Sequence, residues 1–127
     1  MRKIISTENA PGAIGPYNQA VSAQGTLLYT AGQIPLNREG TEIVGTTIEE
    51  QTRQALTNLK AVVEAGGSSL EQVIKTTVFL KDMGDFVKMN GIYAEFFPKD
   101  APARSAVEVA RLPKDVLVEI ECVALVS

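Results

Sequence analysis

The chain has 127 residues, 45% of them hydrophobic and 21% charged, which suits one domain able to bury about two-thirds of its unfolded surface. Its net charge of −3 and pI near 5.0, with twelve scattered Lys and Arg, leave no basic footprint for nucleic acid. Histidine is absent and Cys122 stands alone, so Ser-His-Asp and Cys-His catalysis, zinc-protease motifs, an internal disulfide and thiolate metal clusters are all excluded.

The opening MRKII gives way to polar STEN, too short an apolar stretch for a signal-peptide core or a membrane span. The expectation is a single domain over residues 1–127, in the cytoplasm, with no membrane partner. Short strands are predicted at Ile4 to Ser6, Ala20 to Ser22 and Leu27 to Ala31, separated by the turn-forming APGAIGP and AQG. Thr47 to Glu50 spells a T-x-x-E capping box, and Ile48, Ala55, Leu56, Leu59, Val62 and Val63 recur at helical spacing, predicting a helix from Ile48 to Ala65 that stops at Gly66-Gly67. Ser69 and Gln72 frame one short turn before VIKTTVFLK, whose β-branched content predicts a strand over Val73 to Lys81. Phe86, Met89, Tyr93 and Phe96 form one stripe of a second helix ending before Pro98, a stripe read as core rather than as a cofactor site. Two last strands, Ser105 to Val109 and Val116 to Val126, are joined by ARLPKD.

This order gives an α+β fold in which two helices cover one face of a sheet. In the last strand Val116, Val118, Ile120, Cys122, Ala124 and Val126 share one face, while Leu117, Glu119, Glu121, Val123 and Leu125 share the other. Both faces are substantially apolar, yet the helices suffice for one, so further copies of the chain are expected against the second. Cys122 reads as a buried, inert thiol.

Any catalyst must be assembled from carboxylates, Lys, Arg, Tyr, hydroxyls and backbone groups. Arg104, between Ala103 and Ser105, carries a planar fork suited to a bidentate carboxylate or phosphate; the alternative is an ion pair with Glu119, Glu121 or Glu108. Glu119, between Val118 and Ile120, would have its pKa raised by partial burial and could serve as a general base or acid, as could Glu121 on the same face; both could instead be rim carboxylates paired with Lys or Arg. Tyr17 follows Pro16, which restricts the backbone before it, and also fits a core or turn tyrosine. Gly32 ends a strand where a ligand could approach backbone N–H groups, or is simply a turn or bulge. Asn90 offers an amide on the second helix.

If the connection Arg111 to Asp115 lets Ala110 pair with Val116, the last two strands form a hairpin in which Arg104 lies opposite Cys122, and one chain directs Arg104 and Glu119 to different faces.

The segments APGAIGPYNQA, TAGQIP, EEQTRQALTNLKAVVEAGGSSLEQVIKTTVFLKDM and PARSAVEVARLPKDVLVEIE stand in the order found in the reactive intermediate deaminase family, RidA or YjgF. The chain resembles that family nearly from end to end, in its archetypal enamine/imine deaminase type. The resemblance implies a chorismate-mutase-like trimeric fold with sites between subunits, and hydrolysis of 2-imino acids such as 2-iminobutanoate and 2-iminopropanoate, or their enamines, to 2-oxo acids and ammonia. It implies neither metal nor cofactor. By motif, Arg104 in PARS corresponds to the arginine holding the substrate carboxylate and Glu119 in VEIE to the carboxylate that positions or activates water. Tyr17 in IGPY joins them as a catalytic candidate, and Gly32 in AGQIP and Asn90 in DFVKMN correspond to cleft residues. Ala106 and Ala31 stand where many members have cysteine and serine, leaving backbone groups at both substrate-binding positions. The rival readings are a non-enzymatic trimer that binds a small carboxylate and regulates another protein, and chorismate mutase, disfavoured because its dicarboxylate substrate needs more positive charge than one arginine supplies.

Overall fold

The computed structural model describes residues 1–126. Two strands, β1 (Arg2–Ile5) and β2 (Ala20–Ala23), pair antiparallel as a separate two-stranded ladder. The main sheet holds β3 (Thr26–Tyr29), β4 (Val73–Leu80), β5 (Ala103–Glu108) and β6 (Val118–Val126) in the order β3-β6-β4-β5. Helix α1 (Ile48–Ala65) follows β3, and helix α2 (Phe86–Phe96) joins β4 to β5.

Why both helices share a face follows from connection geometry. β3 and β4 are each antiparallel to β6, so they run the same way and α1 is their crossover; β4 and β5 are directly parallel, with α2 as theirs. Both crossovers move in the same direction across the sheet, and the right-handed rule then sends both helices to one side. The core between them confirms it: Leu56, Leu59, Val63, Met89 and Tyr93 from the helices are buried with Val78, Leu80, Val118, Ile120, Cys122 and Ala124 of the strands.

Local signals act as the sequence predicts. Thr47 Oγ1 accepts from the Glu50 N–H at 3.1 Å and Glu50 Oε1 accepts from the Thr47 N–H at 3.1 Å, satisfying two donors that a helix start leaves unpaired. At the far end Gly67 adopts φ of +84°, a left-handed conformation that favours glycine. β1 starts earlier than the apolar pattern suggests, because the Arg2 side chain fastens it to the carbonyls of Glu71 and Asp100, both at 2.6 Å.

One expectation is corrected. β5 and β6 form no hairpin, since β4 lies between them and pairs with both. The connecting segment instead forms a 3-10 turn at Pro113–Asp115, with Lys114 and Asp115 at φ of 55°, and carries the chain across β4. The predicted facing survives through the intermediary strand: Arg104 and Cys122 both pair with Thr76.

The face away from the helices is formed by Leu27 and Tyr29 of β3, Glu119, Glu121 and Val123 of β6, Thr77 and Phe79 of β4, and Ser105 and Val107 of β5. Tyr29 is 71% exposed there, and Leu27 and Val107 are also open to solvent. This second face is part apolar, as the alternation in β6 suggests, and is crossed by a polar row of Glu121, Thr77 and Ser105.

Candidate functional site

Arg104 projects from β5 on the helix side, at the sheet edge. Its Nη1 donates to Asn90 Oδ1 at 2.7 Å. Its guanidinium carbon lies 4.7 Å from the ring centroid of Tyr93, 5.4 Å from that of Tyr17 and 5.5 Å from that of Phe86. A cation over aromatic faces is attracted by the ring quadrupoles, which stabilise its charge without neutralising it. Burial lowers the Arg104 pKa below the usual arginine value, while Tyr93 and Tyr17 oppose that shift. An arginine retains its proton under such conditions.

None of the carboxylates considered as structural partners engages it. Glu108 Oε1 accepts from the Met83 N–H at 2.9 Å, and Glu119 and Glu121 lie on the other sheet face. Among the described residues Arg104 forms no ion pair, and its Nε and Nη2 have no hydrogen-bond partner. The guanidinium therefore keeps one fork available for a planar anion.

The neighbouring loop runs close to this fork at Gly15. A Cβ added at Gly15 would lie 3.5 Å from Asn90 Nδ2, 3.6 Å from Arg104 Nη2 and 3.7 Å from the Tyr17 ring. Tyr17 is fixed by its own loop, its hydroxyl accepting from the Ile14 N–H at 3.2 Å and its N–H donating to Gly15 O at 2.8 Å. Tyr17, Asn90 and Arg104, distant in sequence, thus converge.

Glu119 belongs to a second cluster. The backbone after β3 continues along β6: the Thr30 N–H donates to Cys122 O at 3.0 Å, and Gln33 and Ile120 exchange hydrogen bonds of 2.8 and 3.0 Å. Thr30 to Gln33 spans one residue more than Ile120 to Cys122, so Ala31 and Gly32 form a bulge. Gly32 lies against Glu119: an added Cβ would fall 2.7 Å from Glu119 Cδ and 3.0 Å from Cγ. The Glu119 pKa is raised, first by desolvation and then by the like charge of Glu121. A carboxylate with a raised pKa is a stronger proton acceptor than an ordinary one.

The two clusters do not meet within one chain. Arg104 aligns with Thr76 and Cys122, whereas Glu119 aligns with Phe79 and Val107, three residues further along β4 and on the opposite face. A depression of about 350 Å3 borders Gly15, Pro16 and Tyr17, and a separate groove of about 630 Å3 borders Gly32, Gln33 and Asn58. Ala106 pairs with Val78 and packs on the core beside Arg104, while Ala31 is exposed in the bulge beside Gly32.

Gly15, Phe86, Tyr93 and Thr76 are site residues that sequence reasoning did not single out. Phe86 and Tyr93 belong to the stripe read as core, and Tyr93 is fully buried. The available signal was its hydroxyl, since a buried phenol needs a partner; Thr76 supplies one at 2.7 Å. Burial pushes the Tyr93 pKa up to about 12. Cys122 is the buried thiol expected, with its pKa pushed up to about 11 by desolvation.

The chain is similar to known proteins over nearly its whole length. Residues 7–126 match the family model described as Endoribonuclease L-PSP. A RutC family protein of Pyrococcus horikoshii is 60% identical over 124 residues, covering 98% of both chains. The 2-iminobutanoate/2-iminopropanoate deaminase of Escherichia coli K12 is 52% identical over 128 residues, again covering 98% of both. The crystal structure of E. coli TdcF with bound serine superposes with a TM-score of 0.75 at 48% identity, covering 98% of this chain and 99% of that one. With the family model spanning nearly all of the chain and relatives this similar, the protein belongs to the RidA/YjgF family, the Endoribonuclease L-PSP family of that model.

Proposed function

We propose that the protein is a hydrolytic deaminase of 2-imino acids and their enamine tautomers, including 2-iminobutanoate and 2-iminopropanoate, acting as a cytoplasmic homotrimer with sites between subunits. The observation that carries this reading is Arg104, a partly desolvated guanidinium held by Asn90 among three aromatic rings with no carboxylate partner among the described residues. Such a group favours a carboxylate ligand, and serine in E. coli TdcF is a ligand bearing one.

In this proposal Arg104 grips the substrate carboxylate and Tyr17 borders it. Glu119 from another subunit, packed against Gly32, holds a water at the imine carbon. Water adds across C=N, Glu119 takes a proton from the attacking oxygen and returns it to nitrogen, and the tetrahedral adduct collapses to the 2-oxo acid with loss of ammonia. The imine carbon is already electrophilic, so orientation and acid-base assistance worth about 100- to 10,000-fold suffice for a catalyst. The uncovered sheet face supports the trimer: Phe79 and Val107 lie level with Glu119, Tyr29 and Leu27 are exposed further along the same face, and in this proposal a second chain laid on it brings its own Arg104 cluster to Glu119. An endoribonuclease reading is less well supported, because the chain has a net charge of −3 and no clustered basic residues to meet phosphates.

The non-enzymatic reading keeps one point in its favour: serine, bound in the E. coli TdcF structure, has no C=N bond, which is consistent with binding without deamination. The test generates the imine in place with a pyridoxal-phosphate-dependent threonine dehydratase and follows its disappearance. Accelerated loss on adding the protein, abolished by Glu119→Gln, is expected. No acceleration by correctly assembled protein would favour the binding reading.

A further inference from the structure

Resting on the reading of Arg104 as a carboxylate clamp, we infer that Thr76 and Tyr93 are positioning residues that set the guanidinium plane through their buried hydroxyl pair. Among the described residues only two side-chain hydrogen bonds tie α2 to the main sheet. One is Arg104 to Asn90; the other is Thr76 to Tyr93, 2.7 Å long and buried. Both converge on the same group. Thr76 is the residue of β4 paired directly with Arg104, and Tyr93 is the ring nearest the guanidinium, at 4.7 Å.

The helix geometry explains why this second link matters. Phe86, Asn90 and Tyr93 are spaced four and three residues apart, so they occupy one face of α2 and move together. That face supplies two of the three rings and, among the described residues, the only side-chain hydrogen bond that Arg104 makes. A small slide or roll of α2 on the sheet would change all three contacts at once. Apolar packing of Met89 against the core resists separation of the helix but is non-directional, whereas a hydrogen bond fixes register. Thr76, one strand from Arg104, and Tyr93, against the guanidinium, provide that directional constraint through their hydroxyls.

The hydroxyl pair can be removed without leaving an orphan. Tyr93→Phe alone strands the buried Thr76 hydroxyl, so the informative variant is Thr76→Val with Tyr93→Phe, because replacing both partners by apolar groups of like shape is nearly neutral for stability. Thr76→Ser, which keeps the hydroxyl, is the conservative control. Binding of 2-oxobutanoate to the assembled protein is measured by calorimetry, with KM and kcat for the imine, and the Arg104 side-chain N–H resonance reports ring-current changes. The double variant should melt near the parent, bind 2-oxobutanoate about 10-fold more weakly, raise KM with kcat within about two-fold, and shift the Arg104 resonance. Thr76→Ser should restore all of these. If Arg104→Ala loses binding while the double variant binds as the parent does, the positioning role is wrong and the clamp stands. If Arg104→Ala binds 2-oxobutanoate normally, the clamp itself fails and this inference with it.

Discussion

Replacing Gly32 with alanine tests the placement of Glu119 through a single methyl group. The added Cβ would fall 2.7 Å from Glu119 Cδ and 3.0 Å from Cγ, inside any ordinary carbon contact. Gly32 is not among the glycines with positive φ, so alanine meets no backbone strain and the whole effect lies in this clash. Glu119 is partly exposed and can rotate away, at about 0.5–1.5 kcal/mol for an unfavourable rotamer. The carboxylate then leaves the bulge, and the proton-transfer contribution, about 100- to 10,000-fold, should be largely lost. Imine-consumption kinetics paired with thermal unfolding separate the two effects: turnover should fall at least about 100-fold with only a small change in Tm. Gly66→Ala is the contrasting control, because its Cβ would meet Leu28 Cδ2 at 2.6 Å and should lower Tm while sparing turnover per folded molecule. A Gly32→Ala protein with parental turnover would refute the idea that Glu119 acts from its position against Gly32.

Arg104→Ala should lower kcat/KM by about 100- to 1,000-fold, the scale of two charge-assisted hydrogen bonds, and Arg104→Lys should recover little because an ammonium lacks the fork; near-parental activity of the lysine variant would contradict a bidentate clamp. Glu119→Gln should depress turnover while sparing 2-oxobutanoate binding, and Glu121→Gln should do much less, as steady-state kinetics on both will show. Because the like charge of Glu121 helps raise the Glu119 pKa, Glu121→Gln should also move the acid limb of the pH–rate profile to lower pH. The linked stability effect has a definite sign: with the folded value above the unfolded one, the Glu119 contribution is fully present below the unfolded pKa and is lost as pH rises through the folded pKa, so Glu119→Gln should flatten the stability curve across that interval. Cys122→Ala should cost about 1 kcal/mol in denaturant unfolding and leave turnover within about two-fold, since the thiol is a buried filler with a raised pKa.

What the sequence displays depends on how local the responsible physics is. The limits of α1 are legible because the Thr47–Glu50 box and Gly66-Gly67 act within a turn of the residues they govern. The two-faced pattern of β6 is legible because alternation along a strand is independent of its neighbours. Strand order is different: that β4 separates β5 from β6 depends on pairing between segments about 30 to 50 residues apart, and a local reading of ARLPKD favours a hairpin instead. The opposite facing of Arg104 and Glu119 nevertheless follows, because parity propagates across any in-register ladder.

Motif resemblance pointed to Arg104, Tyr17 and Asn90, which the fold brings together, but not to the rings around the arginine. The aromatic surround joins Tyr17 from a loop to Phe86 and Tyr93 from α2, and only folding brings these segments together. Phe86 and Tyr93 looked like core because they are partly core: one side of the stripe fills the space under the sheet and the other supports the cation. Gly32 shows the same limit, since the bulge that presses it onto Glu119 requires the pairing with β6.

The central claim, that each site takes Arg104 from one subunit and Glu119 from another, is tested most directly by refolding Arg104→Ala and Glu119→Ala chains together. Random mixing in equal amounts gives about one interface in four with both native residues, so activity should recover to about a quarter of the parent, while either variant refolded alone stays inactive. Mass spectrometry of the mixture establishes that chains have exchanged. Confirmed mixing with no recovery would show that both residues act from one chain, against the opposite facing seen across β4.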